Sequence, residues 1–348
     1  MCNIAGYAGN KQAAPILLEM LRKQAYYDGD MSVGVATIHE GKLYCKKVVG
    51  DVDNFLANVD LSELPGTIGI AHTRPAGGDS QGRPLHPFLS MDGRTASVTN
   101  GTSPKTKYWA NWDEAAQQML SEGVEYRHIF NNPKGASPKL VGGEHISPAE
   151  LRVHLEDYYL KQGMTAGKTL ALTCQRMYSD NVTVMLTEYF PEQITLLRAT
   201  RPMVCVTEKG ETYIATTRFG LPEEITQKAF DLPLFSAIEV RREGITVTGD
   251  RMEIEPVAEM TPFTYKEGYR RVEEMLRLEK APMYFDELEL ALNAMRDLWP
   301  GDGIFVQHAR LVYDILWQLE QEGRLKKETR IQERSGGIRH RYYFWLED

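Results

Sequence analysis

Two kinds of hydrophobic pattern alternate over residues 2–250. Short apolar runs rich in β-branched residues predict strands, whereas longer runs with helical spacing predict helices. The predicted strands are 31–38, 43–49, 182–187, 194–199, 203–207 and 212–217, and the predicted helices are 13–25, 148–162 and 166–177. Short turns, such as the one predicted at 208–211, join several of these strands. An α+β fold with two antiparallel sheets between helical layers would satisfy this pattern.

The pattern changes towards the end of the chain. Two amphipathic helices are predicted there, separated by a break at 299–303, and a two-stranded hairpin follows, with its turn at 335–337. The apolar faces of the helices are Phe285, Leu288, Leu292 and Met295, then His308, Val312, Ile315 and Leu319. Helices followed by a hairpin favour a small winged-helix-like module. We therefore predict one domain over 2–255, a connecting helix or linker over 256–281 and the module over 282–348.

Composition is typical of a soluble globular enzyme. The 348 residues are 42% hydrophobic and 25% charged, and the net charge of −8 argues against binding to polyanions by the molecule as a whole. Four cysteines occur without metal-ligand spacing, and Cys45, Cys174 and Cys205 fall in apolar segments that predict core thiols. Neither a metal nor a cofactor is expected. The absence of a signal-like or membrane-spanning run predicts a cytoplasmic protein.

The first residues carry the strongest chemical signal. Because Cys2 is small, Met1 is expected to be removed, which leaves a thiol and a free α-amino group on one residue. An α-amino group titrates near ~7.7–8.0, so it can serve as the base for the thiol beside it. A small buried cysteine is also a common core filler. Cys2 is therefore a candidate nucleophile whose weight depends on the rest of the chain.

Two further segments supply matching groups. Residues 69–74 predict a strand that delivers Arg74 to a Gly-rich loop, and a guanidinium binds a carboxylate bidentately. A later strand is expected to end at Asn100-Gly101, whose side-chain amide and backbone N–H could bind an oxyanion. Alone, Asn-Gly typically marks a hairpin turn and Arg74 a surface ion pair. Together with Cys2, they supply a nucleophile with its own base, a carboxylate clamp and an oxyanion hole.

These motifs occur in the order found in a known family. Residues 2–6, 14–22, 69–74, 86–87, 100–101, 160–163 and 211–216 resemble the class II glutamine amidotransferases of the N-terminal-nucleophile (Ntn) hydrolases. The glutaminase domain of glucosamine-6-phosphate synthase is the most similar. The resemblance implies a four-layer αββα sandwich over roughly residues 2–250. The isomerase domains of that synthase are not expected in this chain.

The resemblance also implies roles for individual residues. Cys2 would be the nucleophile, Asn100 and Gly101 would hold the oxyanion, and Arg74 would bind the α-carboxylate of glutamine. The predicted substrate-binding set is Arg74, Thr73, Gly77, Gly78, His86 and Glu150. Gly77 and Gly78 stand where the family has Thr and His, Pro75 replaces a Trp, and Thr99 replaces a His.

One departure concerns the α-amino group of the substrate. The family places an Asp on this group, and the corresponding position here is near Pro148. Glu144 and Glu150 are the candidate replacements. An unpaired ammonium in a closed pocket is costly. This departure therefore leaves open whether free glutamine or another amide is the substrate.

Three functions agree with these observations. The first is a glutaminase subunit that supplies ammonia to an acceptor enzyme on another chain. The C-terminal module would contact that enzyme or a second copy of this chain. The second is a stand-alone hydrolase of a γ-glutamyl or other amide, and the third is a non-catalytic amide or amino-acid sensor. Between 324 and 341 there are seven Lys/Arg and two Glu, a composition that also suits DNA. Acidic residues on the preceding helix favour protein contact instead, and removal of the module is expected to spare hydrolysis.

Overall fold

The computed structural model describes residues 2–74, 85–103, 109–131, 137–253, 260–278, 282–299, 306–334 and 337–347. The elements up to residue 251 are β1 (Asn3–Ala8), α1 (Ala13–Asp28), β2 (Ser32–His39), β3 (Lys42–Val49), α2 (Val52–Asn58), β4 (Ile68–Thr73), β5 (Phe88–Leu89), β6 (Thr95–Ser103), α3 (Trp109–Ser121), β7 (Ile129–Phe130), β8 (His145–Ile146), α4 (Pro148–Lys161), α5 (Ala166–Arg176), β9 (Asp180–Thr187), β10 (Ile194–Arg198), β11 (Val204–Glu208), β12 (Glu211–Ala215), α6 (Glu223–Thr226), β13 (Phe230–Asp231), β14 (Ser236–Arg241) and β15 (Gly244–Arg251).

Two antiparallel sheets form the centre of this region. One has seven strands in the order β13-β11-β12-β1-β4-β2-β3, and the other has six in the order β15-β14-β10-β9-β6-β5. Because side chains alternate between the faces of a strand, Ile4 of β1 packs with Val98 and Val184 between the sheets. Its neighbour Ala5 lies on the opposite face, in the cluster that contains Leu17 of α1.

The outer face of the six-stranded sheet is covered by helices as well. Met185 and Leu197 of this sheet share a buried cluster with Leu170 and Cys174 of α5. Helix, sheet, sheet and helix therefore follow one another, which is the four-layer αββα arrangement expected from the sequence. The buried area of these clusters is the main stabilising contribution to the fold.

Strand register brings the predicted site residues together. Asn3 of β1 pairs with Thr73 of β4 in antiparallel register. Cys2, just before β1, and Arg74, just after β4, therefore lie opposite each other at one end of the sheet. In the second sheet, Asn100 of β6 pairs with Val182 of β9, and the ladder is irregular between Asn100 and Ser103. The start of β1, the end of β4 and the irregular part of β6 thus converge.

The remaining elements build a second group, here named the C-terminal unit. It comprises α7 (Pro262–Leu278), β16 (Met283–Tyr284), α8 (Phe285–Ala294), α9 (His308–Gln321), β17 (Leu325–Arg334) and β18 (Gly337–Leu346). Its three strands pair in the order β16-β18-β17. Val272 and Leu276 of α7 share the core of Phe285 and Leu288. The segment expected to be a connecting helix or linker contains helix α7 and contributes to this core, and the domain boundaries stay a prediction.

The C-terminal unit packs directly on the first region. Tyr27 of α1 is buried in the core of the unit, where its ring stacks on Phe219 with centroids 4.2 Å apart and on Phe344 at 5.7 Å. Such aromatic pairs contribute about 0.5–1.5 kcal/mol beyond their buried area. The two regions therefore share apolar core.

Most local predictions from the sequence are confirmed, with instructive exceptions. The helices predicted at 13–25, 148–162 and 166–177 are α1, α4 and α5. The turn at 208–211 is confirmed, with Lys209 and Gly210 both at positive φ. Asn100-Gly101, by contrast, lies inside β6 and not at its end. None of the helices in the described part of the chain is long and apolar enough to cross a lipid bilayer.

Candidate active site

The backbone of Cys2 is held by a single side chain. Asn100 Oδ1 accepts a hydrogen bond from the Cys2 N–H at 3.4 Å, and Asn100 Nδ2 donates to the Cys2 carbonyl at 2.7 Å. Asn100 is buried on β6, so this pair of contacts fixes the nucleophile candidate against the second sheet. An amide nitrogen carries two hydrogens, and the bond to the Cys2 carbonyl uses one of them; donation of the other to a substrate oxygen stays a prediction.

Gly101 has a backbone that only glycine adopts readily. Its φ is +87°, in the left-handed region, and a Cβ there would overlap the carbonyl oxygen of Asp180 and lie 3.0 Å from Arg201 Nε. The glycine therefore permits the close approach of Asp180 and Arg201 at the point where the β6–β9 ladder is irregular. A backbone N–H can bind an oxyanion, and this role of Gly101 stays a prediction.

Two effects on the pKa of the Cys2 thiol oppose each other. Burial raises the pKa of the thiol, while the guanidinium groups of Arg74, Arg201 and Arg339 act to lower it. Burial is the larger effect, so the pKa lies above the ordinary thiol value. A thiol of this kind needs a base to reach the nucleophilic thiolate, which is the role expected for the α-amino group of the processed chain.

Arg74 and Thr73 lie where the sequence predicts, at the end of β4. The Arg74 backbone bonds to both Met31 and Ser32, and the charge of its side chain acts on the Cys2 thiol. Thr73 is fully buried. Gly77 and Gly78 lie outside the described residues. The roles assigned to these four residues stay predictions.

His86 is packed beneath the site. Its Nδ1 accepts the Thr99 N–H at 3.4 Å, and its ring stacks on His72 with centroids 4.2 Å apart. Burial lowers the pKa of His86 well below its usual range and that of His72 to about 3, so both rings are neutral at physiological pH. These contacts support the strand that carries Asn100, and a substrate contact of His86 stays a prediction.

The carboxylate of Glu150 is occupied by other groups. It accepts the backbone N–H of Arg127 at 2.8 Å and that of His128 at 3.0 Å, and the His128 ring lies 3.0 Å away. Although burial raises the pKa of Glu150, these hydrogen bonds lower it far below its ordinary value. The arrangement suits an anchor for the 127–128 segment. A substrate contact of Glu150 stays a prediction.

Sequence reasoning missed a charged cluster beside Gly101. Arg201 Nε lies 3.0 Å from Asp180 Oδ2, and Arg201 NH1 lies 3.0 Å from Glu289 Oε1 of α8. The Nε2 atom of His308, expected to line an apolar face, is 3.0 Å from the same Glu289 oxygen. These four residues are scattered from 180 to 308, and no local motif identifies them. Only the tertiary fold brings them together.

A second contact from the C-terminal unit lies near Cys2. The backbone N–H of His340 donates to Asp30 Oδ2 at 2.6 Å, and the His340 ring lies 3.2 Å from the same oxygen. Burial raises the pKa of Asp30, and the neighbouring Arg339 and His340 partly offset this. Arg339 is itself buried and acts on the charge of Cys2. Strand β18 therefore forms part of the surroundings of the site.

The four cysteines of the chain are free thiols. Cys174 and Cys205 are buried, as predicted, and burial raises their pKa to about 11 and about 12. Cys45 is only half-buried, although its pKa is also raised to about 11. Among the described residues, no group of three or more His, Cys, Asp or Glu side chains is arranged to hold a metal ion.

Comparison with solved structures defines the class of fold. The chain superposes on the glutamine phosphoribosylpyrophosphate amidotransferase of B. subtilis with a TM-score of 0.56 and 16% identity, covering 94% of this chain and 66% of that one. A structure described as the allosteric regulatory enzyme of purine biosynthesis gives a TM-score of 0.57 at 16% identity, covering 96% and 67%. The fold is that of the Ntn glutamine amidotransferases.

Sequence comparison identifies more particular relatives. The chain is 28% identical over 220 residues to the glutamine–fructose-6-phosphate aminotransferase of Pyrococcus horikoshii, covering 62% of this chain and 32% of that protein. The enzymes of Caldanaerobacter subterraneus and Zymomonas mobilis are 30% and 28% identical, over 62% and 74% of this chain and 31% and 38% of theirs. No family model matches the chain.

The chain spans about a third of the length of the curated relatives it matches. The resemblance predicted from the sequence is confirmed: this chain is similar to the glutaminase part of those aminotransferases, which are class II glutamine amidotransferases.

Proposed function

We propose that this protein is an amidohydrolase of the glutamine amidotransferase type, with Cys2 as its nucleophile. The two-way hydrogen bonding between Asn100 and the backbone of Cys2, at 3.4 and 2.7 Å, is the observation that carries the proposal. It joins the nucleophile to the oxyanion donor in one rigid unit. Such preorganisation is what amide hydrolysis requires.

The proposed reaction has two halves. Once Met1 is removed, the α-amine of Cys2 takes the thiol proton, and the sulfur attacks the carboxamide carbon. The oxyanion is held by Asn100 Nδ2 and the backbone N–H of Gly101; the C–N bond then breaks, and ammonia leaves with the proton. Water, deprotonated by the same amine, hydrolyses the thioester to release the carboxylic acid and free the thiol.

Arg74 is proposed to bind the α-carboxylate of the substrate. It emerges from β4 opposite Cys2 in the strand register, close enough for its charge to act on the thiol. A guanidinium fork binds a carboxylate more specifically than an ammonium does. Thr73 precedes it on the same strand end, and we keep Gly77 and Gly78 as proposed members of the pocket.

The ammonia is proposed to serve an acceptor enzyme on another chain, because the relatives include aminotransferases. The C-terminal unit is the candidate docking module. Its helices and hairpin suit a winged-helix-like fold, and we propose that it contacts protein.

Charge pairing supports protein contact over DNA. In the hairpin and the residues just before it, Lys326 pairs with Glu347, Lys327 with Glu320, Arg330 with Glu328, Arg324 with Glu273 and Arg341 with Asp286. Side chains neutralised within the chain release few counterions on binding a phosphate backbone. A second copy of the chain is the other protein partner that we propose.

A stand-alone hydrolase of a γ-glutamyl or other amide is the second candidate function. The carboxylate of Glu150 favours this second function. Both of its oxygens already accept hydrogen bonds from residues 127 and 128, so it is poorly suited to bind the α-ammonium group of free glutamine. No observation on the described residues favours the sensor alternative over hydrolysis, because the arrangement around Cys2 is the one expected of a nucleophile.

Product analysis of the purified, Met-processed chain tests the proposal. Glutamine, γ-glutamyl amides and simple carboxamides are offered, and released ammonia is measured beside a Cys2→Ala control. Ammonia release that depends on Cys2 is the expected result. Preference for glutamine favours the glutaminase, preference for another amide favours the stand-alone hydrolase, and no release from any amide would overturn both.

A further inference from the structure

The peptide of Gly101 packs against Arg201. A Cβ at position 101 would lie 3.0 Å from Arg201 Nε and 3.1 Å from Arg201 Cγ, with the carbonyl of Asp180 on another side. The Arg201 side chain therefore forms one wall behind the backbone that is proposed to bind the oxyanion. A shift of about an ångström in such a group can cost about a hundredfold in rate.

Arg201 is held from two parts of the chain. Asp180, at the start of β9, contacts its Nε at 3.0 Å, and Asp180 itself accepts a hydrogen bond from Thr200. Glu289, on α8 of the C-terminal unit, contacts its NH1 at 3.0 Å. Removal of either carboxylate would leave the guanidinium anchored on one side only.

Glu289 is fixed in turn by its own unit. His308, at the start of α9, approaches the same oxygen at 3.0 Å. Although burial raises the pKa of Glu289, His308 and Arg201 lower it to about 2, so the carboxylate is ionised at neutral pH. Loss of one partner from a buried charged network is costly, because the remaining charge stays without compensation.

We propose that Glu289 is a positioning residue of the amidohydrolase centre, which holds Arg201 against Gly101 and makes the docked C-terminal unit part of the working site. The proposal rests on the hydrolase function proposed above. It replaces the expectation from the sequence that removal of the module would spare hydrolysis. The contact of His340 with Asp30 is a second attachment of the same unit to the region of residues 2–251.

The first test compares Glu289→Gln with a matched control on the same helix, Asp286→Asn. Asp286 also forms an ion pair, with Arg341 NH1 at 2.9 Å, but this pair lies within the C-terminal unit. Both variants keep the size of the side chain and remove one charge. Steady-state hydrolysis by the full chain is measured with the best amide substrate of the wild type, and thermal unfolding is measured in parallel.

We expect Glu289→Gln to lower kcat about ten- to a hundredfold, because the oxyanion backbone is displaced, while KM stays within about twofold. Asp286→Asn should keep kcat near the wild-type value. A kcat for folded Glu289→Gln equal to that of Asp286→Asn would overturn the proposal. If the Gln variant does not fold, Glu289→Asp, which retracts the charge, replaces it in the comparison.

A double-mutant cycle with Arg201→Lys tests whether Glu289 acts through Arg201. If it does, the double variant is no slower than Arg201→Lys alone, since the lost interaction is shared. Losses that multiply would overturn the proposal. If the wild type is active but the cycle shows no shared interaction, the role of Glu289 is overturned and the proposed hydrolase function stands. An inactive wild type would overturn both the role of Glu289 and the hydrolase function.

Discussion

At the residue scale, the site depends on two neighbours that do different work. Asn100 is buried and holds the backbone of Cys2, and Gly101 supplies a backbone conformation that other residues disfavour. The sequence predicted both as oxyanion donors. It did not predict the hydrogen bonds of Asn100 to Cys2, because residues 98 positions apart have no shared local pattern.

Replacement of Asn100 tests its role as an oxyanion donor. We expect Asn100→Ala to lower kcat by about a hundredfold or more, as for comparable donors, since the oxyanion forms only on the way to the transition state. Asn100→Asp, which keeps the acceptor for the Cys2 N–H and loses the donor, should be similarly slow. Asn58→Ala, on the exposed side of α2, is the control. A change in kcat below about threefold for Asn100→Ala would show that Asn100 acts only as a strand contact.

Arg74 gives a prediction about binding. Arg74→Lys keeps the charge and loses the planar fork, and the carboxylate is bound equally in the ground and transition states. We therefore expect KM to rise about tenfold or more with kcat little changed. Arg94→Lys, whose side chain contacts Glu188 and Tyr189, is the matched control. An unchanged KM would assign Arg74 a structural role only.

At the scale of elements, the strands were easier to predict than their irregularities. The apolar runs located β2, β3 and β9–β12 to within a few residues because alternation and burial dictate them. The placement of Asn100-Gly101 inside β6 was missed, because Asn-Gly usually makes a turn. Here the pairing with β9 continues to Ser103 beyond the irregularity, so tertiary pairing overrides the local preference.

The stacked histidines beneath β6 predict an acid-sensitive element. Burial lowers the pKa of His72 from 6.5 to about 3, so the unfolded state takes up a proton in this window that the folded state does not. Stability therefore decreases as pH falls from about 6.5 towards 3. We expect the free energy of unfolding of the wild type to fall more steeply than that of His72→Gln, as measured by denaturant titration.

The comparison between the two chains reports on His72 together with its effect on the stacked His86, whose pKa is lowered by burial and by the neighbouring His72. Buried groups away from this pair, such as Glu156 with a pKa raised by burial to about 8, change stability equally in both chains. His39→Gln, on the surface, should follow the wild-type curve, since that side chain is about half exposed in the folded chain. Parallel curves for the wild type and His72→Gln would contradict the assignment of a neutral buried ring.

At the scale of the whole molecule, the C-terminal unit is joined to the region of residues 2–251 by an aromatic core and by charged contacts. Tyr27 lies in the core of the unit, and Glu289 reaches Arg201 across 88 positions of sequence. Periodicity predicted the helices and the hairpin of this unit. It could not predict their docking, because the partners are single residues on remote elements.

The charge pairing of the hairpin predicts weak interaction with nucleic acid. With a net charge of −8 and basic residues paired to carboxylates, the full chain should give no mobility shift of duplex DNA at low salt. A variant with Lys326→Glu and Arg330→Glu should behave as the wild type does. The contrary result is tight binding of duplex DNA by the wild type that weakens steeply with salt and is lost in this variant. That result would contradict the proposal that the unit contacts protein.

The identity of the nucleophile is tested most directly by covalent labelling. The processed chain is treated with a diazoketone analogue of glutamine, and the adduct is mapped by mass spectrometry beside a Cys2→Ala chain. We predict one adduct, on Cys2, with loss of hydrolysis in proportion to labelling, and none on the Ala variant. Burial raises the pKa of Cys45, Cys174 and Cys205 to about 11 or 12, which makes them poor nucleophiles. Labelling of any of these three thiols with Cys2 unmodified would contradict the account.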